Sequence, residues 1–262
     1  MNTVLEFAKA KSDQRKISMV TCYDYSFASI LNKTNIDCLL VGDSLGMTMH
    51  GFKTTIPVTN AMMALHTKAV SMGATEKFIV ADLPFLSFRK SISYAVSSTQ
   101  KLLQAGAHAV KLEGAQGNLK LISHLVESGV PVMGHLGLTP QSVNGFGGFR
   151  VQAKETPEQI KLMQDALMLE EAGCFSIVLE CVPSSIATKI SQKLSIPTIG
   201  IGAGAGCDGQ VLVLQDLLGM NPDFKPKFVK NYMKGFEEIS TALNSFHKEV
   251  IEEKFPSTKE SF

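Results

Sequence analysis

Tracts that would tie this chain to a membrane, a nucleic acid or an oxidising compartment are missing from it. No uninterrupted apolar segment approaches the roughly 18 to 20 residues that a membrane-crossing helix needs. The opening stretch MNTVLEFAKAKSDQ lacks the apolar core of a secretory signal. The 25 basic and 24 acidic residues nearly cancel, leaving a formal charge of +1, and no Lys/Arg block stands out before the tail. There is thus no electrostatic footprint for nucleic acid or an anionic membrane. Cys22, Cys38, Cys174, Cys181 and Cys207 are odd in number, with no CxxC and no metal-finger spacing. Several lie in apolar runs, where a thiol behaves as a small hydrophobe, so they are expected to be reduced and structural. No linker or low-complexity segment divides the chain. A cytoplasmic protein that acts on small molecules, with no nucleic-acid or membrane partner, is the expectation.

What the sequence does contain is alternation. Short β-rich runs alternate with longer helical patterns, the signature of a parallel sheet covered by helices. Eight strands are expected: Ser18 to Cys22, Asp37 to Val41, Phe78 to Ala81, Ala107 to Leu112, Val130 to Met133, Phe175 to Leu179, Pro197 to Ile201 and Gln210 to Leu214. Helices are expected at Tyr25 to Lys33, Val58 to Ser71, Ser91 to Ala105, Asn118 to Glu127, Thr156 to Ala172 and Ser184 to Leu194. Gly73, Gly106, Gly129 and Gly173 follow the last helical turns, where a left-handed residue is wanted. Only Gly202 to Gly209 separate the last two strands, too few for a crossover helix, so that unit is a degenerate repeat. Eight strands close a barrel, and 262 residues with 45% hydrophobic content suit one. The expected fold is α/β, a (β/α)₈ TIM barrel forming a single domain over residues 1–262, with a C-terminal helical extension from about residue 226. In that extension Phe228, Tyr232, Phe236 and Ile239 recur at helical spacing, which suits packing on the barrel wall or on a neighbouring subunit.

Four of the strands stop on an acid. Leu39-Leu40-Val41 breaks into Gly42-Asp43-Ser44, Phe78 to Ala81 ends at Asp82, Ala109 to Leu112 at Glu113, and Ser176 to Leu179 at Glu180. The C-terminal ends of barrel strands converge on the face where barrel enzymes keep their active sites. Side-chain alternation along Ala109-Val110-Lys111-Leu112-Glu113 sends Val110 and Leu112 outward and Lys111 and Glu113 inward. An inward lysine is costly unless paired with an anion. It is either a structural bridge to an acid or a binder of a substrate carboxylate or phosphate. Asp43, Asp82 and Glu113, side by side on successive strands, repel one another without a cation. If they are not simply helix caps, their all-oxygen donor set points to a hard ion such as Mg²⁺. His135 closes the fifth strand at the same rim. Glu180 ends the sixth, placed across the barrel from the metal cluster and free to act as a base. The loop Gly200 to Gly206 is either a phosphate cradle or a place where backbone approaches a ligand closely.

These residues fall in blocks that resemble the ketopantoate hydroxymethyltransferase family almost end to end. The blocks are Thr21-Cys22-Tyr23-Asp24, Val41-Gly42-Asp43-Ser44-Leu45-Gly46-Met47, Ala81-Asp82-Leu83-Pro84-Phe85, Val110-Lys111-Leu112-Glu113-Gly114, Gly134-His135-Leu136-Gly137-Leu138-Thr139-Pro140-Gln141-Ser142, Leu179-Glu180-Cys181-Val182-Pro183, Gly200-Ile201-Gly202-Ala203-Gly204 and Pro226-Lys227-Phe228. The resemblance implies hydroxymethyl transfer from 5,10-methylenetetrahydrofolate to 3-methyl-2-oxobutanoate through a Mg²⁺-stabilised enolate, giving 2-dehydropantoate. It implies that Asp43, Asp82 and Glu113 hold Mg²⁺, that Asp43, Ser44, Asp82, Lys111 and His135 bind the ketoacid, and that Glu180 is the catalytic base. It also implies a homo-oligomer, a decamer in bacterial members. Ala153 stands where many relatives carry Gly, and Lys53 where an acid is usual. Two rivals are the Mg²⁺ barrel lyases and mutases of 2-oxo or phosphorylated acids, such as phosphoenolpyruvate mutase and isocitrate lyase, and a catalytically dead ketoacid-binding barrel. The first lacks this combination of blocks, and the filled catalytic positions argue against the second.

Overall fold

A computed structural model describes residues 2–262. Its element order is α1 (Val4–Ser12), β1 (Ile17–Thr21), α2 (Tyr25–Asn32), β2 (Cys38–Val41), α3 (Leu45–Thr48), α4 (Asn60–Gly73), β3 (Phe78–Asp82), α5 (Ile92–Gln104), β4 (Ala109–Glu113), α6 (Leu119–Glu127) and β5 (Val132–Gly137). A 3₁₀ turn over Pro140–Ser142 runs into α7 (Val143–Phe146), followed by α8 (Thr156–Glu171), β6 (Ser176–Glu180), α9 (Ser184–Lys193), β7 (Thr198–Ile201), β8 (Gly209–Leu212), α10 (Leu214–Leu217) and α11 (Gly235–Ile251). The eight strands pair in parallel in sequence order and close, β8 returning to β1 through Ile17 opposite Gly209 and Met19 opposite Val211. This is the TIM-barrel architecture. The short β7 to β8 connection has no helix, yet Ile199 pairs with Gly209 and the barrel is complete.

Two compact units make up the chain, Met1–Val213 and Leu214–Phe262. In the first, alternate strand residues fill the barrel: Met19, Cys38, Leu40, Val80, Ala109, Met133, Val178, Ile199 and Val211 are all buried in one cluster. Phe7 of α1 stacks edge-on against Phe78 and Phe175, with ring centroids 5.3 and 5.1 Å away, plugging the N-terminal end of that cluster. The five cysteines are free, as expected. Burial pushes the Cys22, Cys174 and Cys181 thiols up to about 12, so these remain neutral hydrophobes. Among the described residues no helix is long and apolar enough to cross a membrane.

Three of the four helix-ending glycines have the expected left-handed backbone: Gly106, Gly129 and Gly173, with φ of 107°, 85° and 97°. Gly73 does not. It is the last residue of α4, and a Cβ there would meet the Tyr25 carbonyl oxygen at 2.6 Å and the Ala28 methyl at 2.8 Å. Close packing of α4 on α2, not a positive φ, requires that glycine. The loop glycines after β7 also serve packing: a Cβ on Gly204 or Gly206 would collide with Ser184 or Thr188 of α9.

In the second unit the expected helical spacing from Phe228 fails, because α11 starts only at Gly235. Residues 218–234 instead fold back on themselves, with Tyr232 N–H donating to the Leu217 carbonyl and Gly235 N–H to that of Leu218. Tyr232, Phe236 and Ile239 are not core residues: they are 66%, 50% and 43% exposed. Along α11, Phe236, Ile239, Leu243, Phe246 and Val250 form one exposed apolar stripe.

Candidate active site

The functional side chains come from the strands or the turns just after them: Asp82, Glu113 and Glu180 end β3, β4 and β6, Lys111 and His135 lie within β4 and β5, and Asp43 stands two residues beyond β2. Strand pairing sets Asp82 beside Lys111 and Glu113 beside His135, so four groups of alternating charge stand on three neighbouring strands. They are buried: Asp43, Asp82, Lys111, Glu113 and His135 are all at most 6% exposed. The alternation reading of β4 holds, and Lys111 is paired, its Nζ lying 2.8 Å from Asp82 Oδ1. That contact is electrostatic, since Asp82 Oδ1 has no aligned hydrogen bond. Asp82 Oδ2 accepts the Asp43 backbone N–H at 3.0 Å, which fixes the turn after β2 against β3.

Glutamine 141 ties the acids together and was not singled out in the sequence. Its Nε2 donates to Asp43 Oδ2 at 2.8 Å and to the Leu83 carbonyl at 2.9 Å, while its backbone N–H donates to Glu113 Oε2 at 3.0 Å. One buried residue, through its side-chain amide and its backbone N–H, thereby spans the ends of β2, β3 and β4. Tyr23, also unassigned, hydrogen-bonds through its hydroxyl to Ser44 Oγ at 2.8 Å; burial raises its pKa to about 12, so it stays a neutral phenol. Both residues lie within the resemblance blocks, but a loop polar residue has no periodicity to mark it.

The electrostatics follow from crowding. Burial, then the charges of Asp82 and Glu113, hold the Asp43 carboxyl well above the usual range. Burial disfavours the Lys111 cation, but the charges of Asp82, Glu113 and Asp43 outweigh it and raise that pKa. His135 is pushed down by burial and by Lys111, yet its Glu113 and Glu180 neighbours carry it up to about 9, so it is a cation near neutrality. Its Nδ1 is 3.3 Å from Lys111 Nζ and 3.5 Å from Glu113 Oε1; its Nε2 is 3.2 Å from Glu180 Oε2, in reach but not aligned.

Glu180, at the end of β6, stands four strands from β2 in the eight-stranded ring and so across the barrel from the Asp43 side of the acid cluster. Its strand neighbours β5, and its carboxylate meets His135 directly, because strands consecutive in sequence are adjacent in a closed barrel. Its side chain is 17% exposed against 5% for Asp82 and Glu113, so it is the carboxylate of the cluster that solvent reaches best.

Four carboxylates (Asp43, Asp82, Glu113, Glu180) against two cations (Lys111, His135) leave the fully ionised rim two negative charges in excess. A divalent cation cancels that excess. Among the described residues no three His, Cys, Asp and Glu side chains are arranged to enclose an ion by themselves. Mg²⁺ does not need such a cage; it is commonly held by one or two carboxylates, with water and substrate filling the octahedron. The buried, unaligned Asp82 Oδ1 and the repulsion that raises Asp43 are what such an ion relieves.

A closed parallel barrel with a buried, charge-dense cluster at its C-terminal rim and one accessible carboxylate defines a barrel enzyme. The ketopantoate hydroxymethyltransferase family model matches residues 1–258. The chain is 61% identical over 262 residues, all of both chains, to the 3-methyl-2-oxobutanoate hydroxymethyltransferase of Bdellovibrio bacteriovorus. It belongs to the ketopantoate hydroxymethyltransferase family. Two solved structures share the fold at low identity. Phosphonopyruvate hydrolase, in complex with oxalate and Mg²⁺, has a TM-score of 0.65 at 10% identity, covering 99% of this chain and 93% of its own. 2,3-Dimethylmalate lyase, a member of the PEP mutase/isocitrate lyase superfamily, has 0.63 at 13%, covering 100% and 92%.

The two departures from the family pattern lie outside this cluster. At Ala153 the backbone is left-handed, with φ of 54°, a conformation that favours glycine. Lys53 is exposed.

Proposed function

We propose that the chain transfers a hydroxymethyl group from 5,10-methylenetetrahydrofolate to 3-methyl-2-oxobutanoate, giving 2-dehydropantoate on the route to pantothenate and coenzyme A. The observation that carries this reading is the buried Asp43–Asp82–Lys111–Glu113–His135 cluster with accessible Glu180 beside it, in a chain of this family. Asp43 and Asp82, backed by Glu113, would hold Mg²⁺. When bound there, the ion supplies Lewis-acid polarisation of the ketoacid carbonyl.

The chain's own groups do the rest. Lys111, permanently charged, neutralises the ketoacid carboxylate. Ser44, oriented by the Tyr23 hydroxyl, offers a hydrogen bond to it, and the His135 cation adds positive charge on the β5 side. Glu180 takes the proton from the branched carbon at a carboxylate oxygen, with His135 Nε2 3.2 Å from its Oε2. Burial of the other groups excludes water from the enolate face. Water opens the donor's methylene bridge: its oxygen bonds to the methylene carbon as the bonds from that carbon to N10 and N5 break, its two hydrogens go to those nitrogens, and tetrahydrofolate leaves. The enolate carbon then adds to the formaldehyde so released, whose oxygen takes up the proton held by Glu180 and becomes the product hydroxyl. Formation of 2-dehydropantoate should require both cosubstrates and a divalent ion; product formed in excess EDTA, or without folate, would overturn the proposal.

The same reading makes the protein a cytoplasmic homo-oligomer, a decamer as its bacterial relatives are implied to be. Its support is the uncovered apolar stripe of α11. Light scattering at working concentration should give a mass near ten times the 28.3 kDa chain. A mass near 28 kDa would refute oligomerisation.

A further inference from the structure

Beside the rim lies a cavity of about 320 Å³ that the cluster above does not use. Its wall includes Phe85, three residues beyond Asp82 in the β3 to α5 connection, so it opens within about 11 Å of chain from the reacting groups. The first turn of α4 forms the opposite side, with its N–H groups favouring negative charge. Lys90 and Lys101 line it, and neither is paired with a carboxylate among the described residues. No acidic side chain lines the cavity. Ser87 also lines it, is 4% exposed, and its Oγ has no hydrogen-bond partner. The buried Oδ1 of Asn60 is likewise without a partner. Phe85 and Tyr94 supply aromatic surface, with Lys90 Nζ 4.4 Å from the Tyr94 ring centre.

Two unpaired cations, an unused hydroxyl, an unused amide acceptor and two aromatic faces call for an aryl amide that ends in two carboxylates. We infer that this cavity holds the p-aminobenzoyl-glutamate end of the folate donor. The α- and γ-carboxylates face Lys90 and Lys101, the aryl ring lies on Phe85 and Tyr94, the amide N–H meets Asn60 Oδ1, and Ser87 Oγ donates to an oxygen of the tail. The assignment rests on the hydroxymethyl-transfer reading and deepens it, by naming what holds the cosubstrate's far end. The groups that bind the ketoacid lie outside the cavity, so the lysines set donor affinity and not the chemistry.

The test compares three donors: 5,10-methylenetetrahydropteroate, which has no glutamate, and the mono- and triglutamate forms of 5,10-methylenetetrahydrofolate. In the wild type, loss of the glutamate should raise the donor KM about tenfold, as expected for two partly exposed charge pairs. Lys90→Ala/Lys101→Ala should raise the KM of both glutamylated donors by the same factor and leave that of the pteroate donor in place. Added KCl should raise the wild-type KM for the glutamylated donors and have little effect in the double variant. Lys90→Arg/Lys101→Arg should restore tight donor binding. The assignment is overturned if the double variant and the wild type share one KM for each donor, or if all three donors weaken equally. Equal competition by inorganic phosphate against all three would assign the cavity to a free oxyanion and overturn it too. Retained exchange of the ketoacid proton in these cases leaves the reaction standing; a wild type that exchanges the proton but uses no donor overturns both.

Discussion

Asp43→Ala abolishes the Mg²⁺-dependent part of ketoacid binding and leaves the fold largely intact. Asp43 is 3% exposed, and its carboxyl is repelled by Asp82 and Glu113, so its loss relieves repulsion in the empty protein. Gln141 Nε2 keeps its second acceptor, the Leu83 carbonyl, so the amide is not orphaned. What disappears is the metal ligand of the proposed reading, and even outer partners of a metal site are worth about 10- to 100-fold in affinity. Calorimetric titration of 3-methyl-2-oxobutanoate with and without Mg²⁺ should show at least about a hundredfold weakening, confined to the Mg²⁺ arm. Since the raised Asp43 proton must leave before the ion binds, wild-type Mg²⁺ affinity should increase with pH across that titration. Identical binding in mutant and wild type would mean that this acid is only a cap.

Lys111→Ala should cost the ketoacid on the order of 2 to 5 kcal/mol of binding, the usual penalty for stripping one partner from a buried charge pair. Lys111 is a cation among three carboxylates, and its Nζ touches Asp82. The apolar Lys111→Met therefore does not stabilise the empty protein. It leaves Asp43, Asp82 and Glu113 without their compensating charge, and its melting temperature should fall unless Mg²⁺ is present. A neutral ketone analogue separates the roles: its affinity should change little in Lys111→Ala. Equal losses for the ketoacid and the ketone would show that Lys111 does not read the carboxylate.

The barrel was legible because each strand carries its own evidence. Phe78 to Ala81 is an apolar run stopped by an acid, and alternation in β4 alone separates Lys111 and Glu113 from Val110 and Leu112. The acids Asp43, Asp82 and Glu113 were expected together, and they are: Asp82 accepts the Asp43 N–H, and Gln141 links Asp43 to Glu113. What sequence could not supply was lateral geometry. Glu180 was placed across from the metal cluster, and β6 does stand four strands from β2, but its contact with His135 on the neighbouring β5 was not foreseen. Gln141 escaped notice because it follows a proline in an irregular turn, and half of its work is done by its backbone N–H. The helix α1 was also missed: only Phe7 and Ala10 of its nine residues are buried, too few to give a helical period. In the C-terminal unit the spacing from Phe228 imitated a helix where backbone bonds to Leu217 and Leu218 fold the chain back instead.

The central claim is that Glu180 forms the enolate before any folate is needed, and proton exchange tests it most directly. In D₂O with Mg²⁺ and no folate, the wild type should exchange the proton on the branched carbon of 3-methyl-2-oxobutanoate, seen as loss of its signal and collapse of the methyl doublet. Glu180→Gln keeps the shape beside His135 but cannot accept the proton, so it should bind ketoacid and exchange nothing. Exchange by Glu180→Gln at the wild-type rate would contradict the account and move the base to another group, with His135 the first to examine.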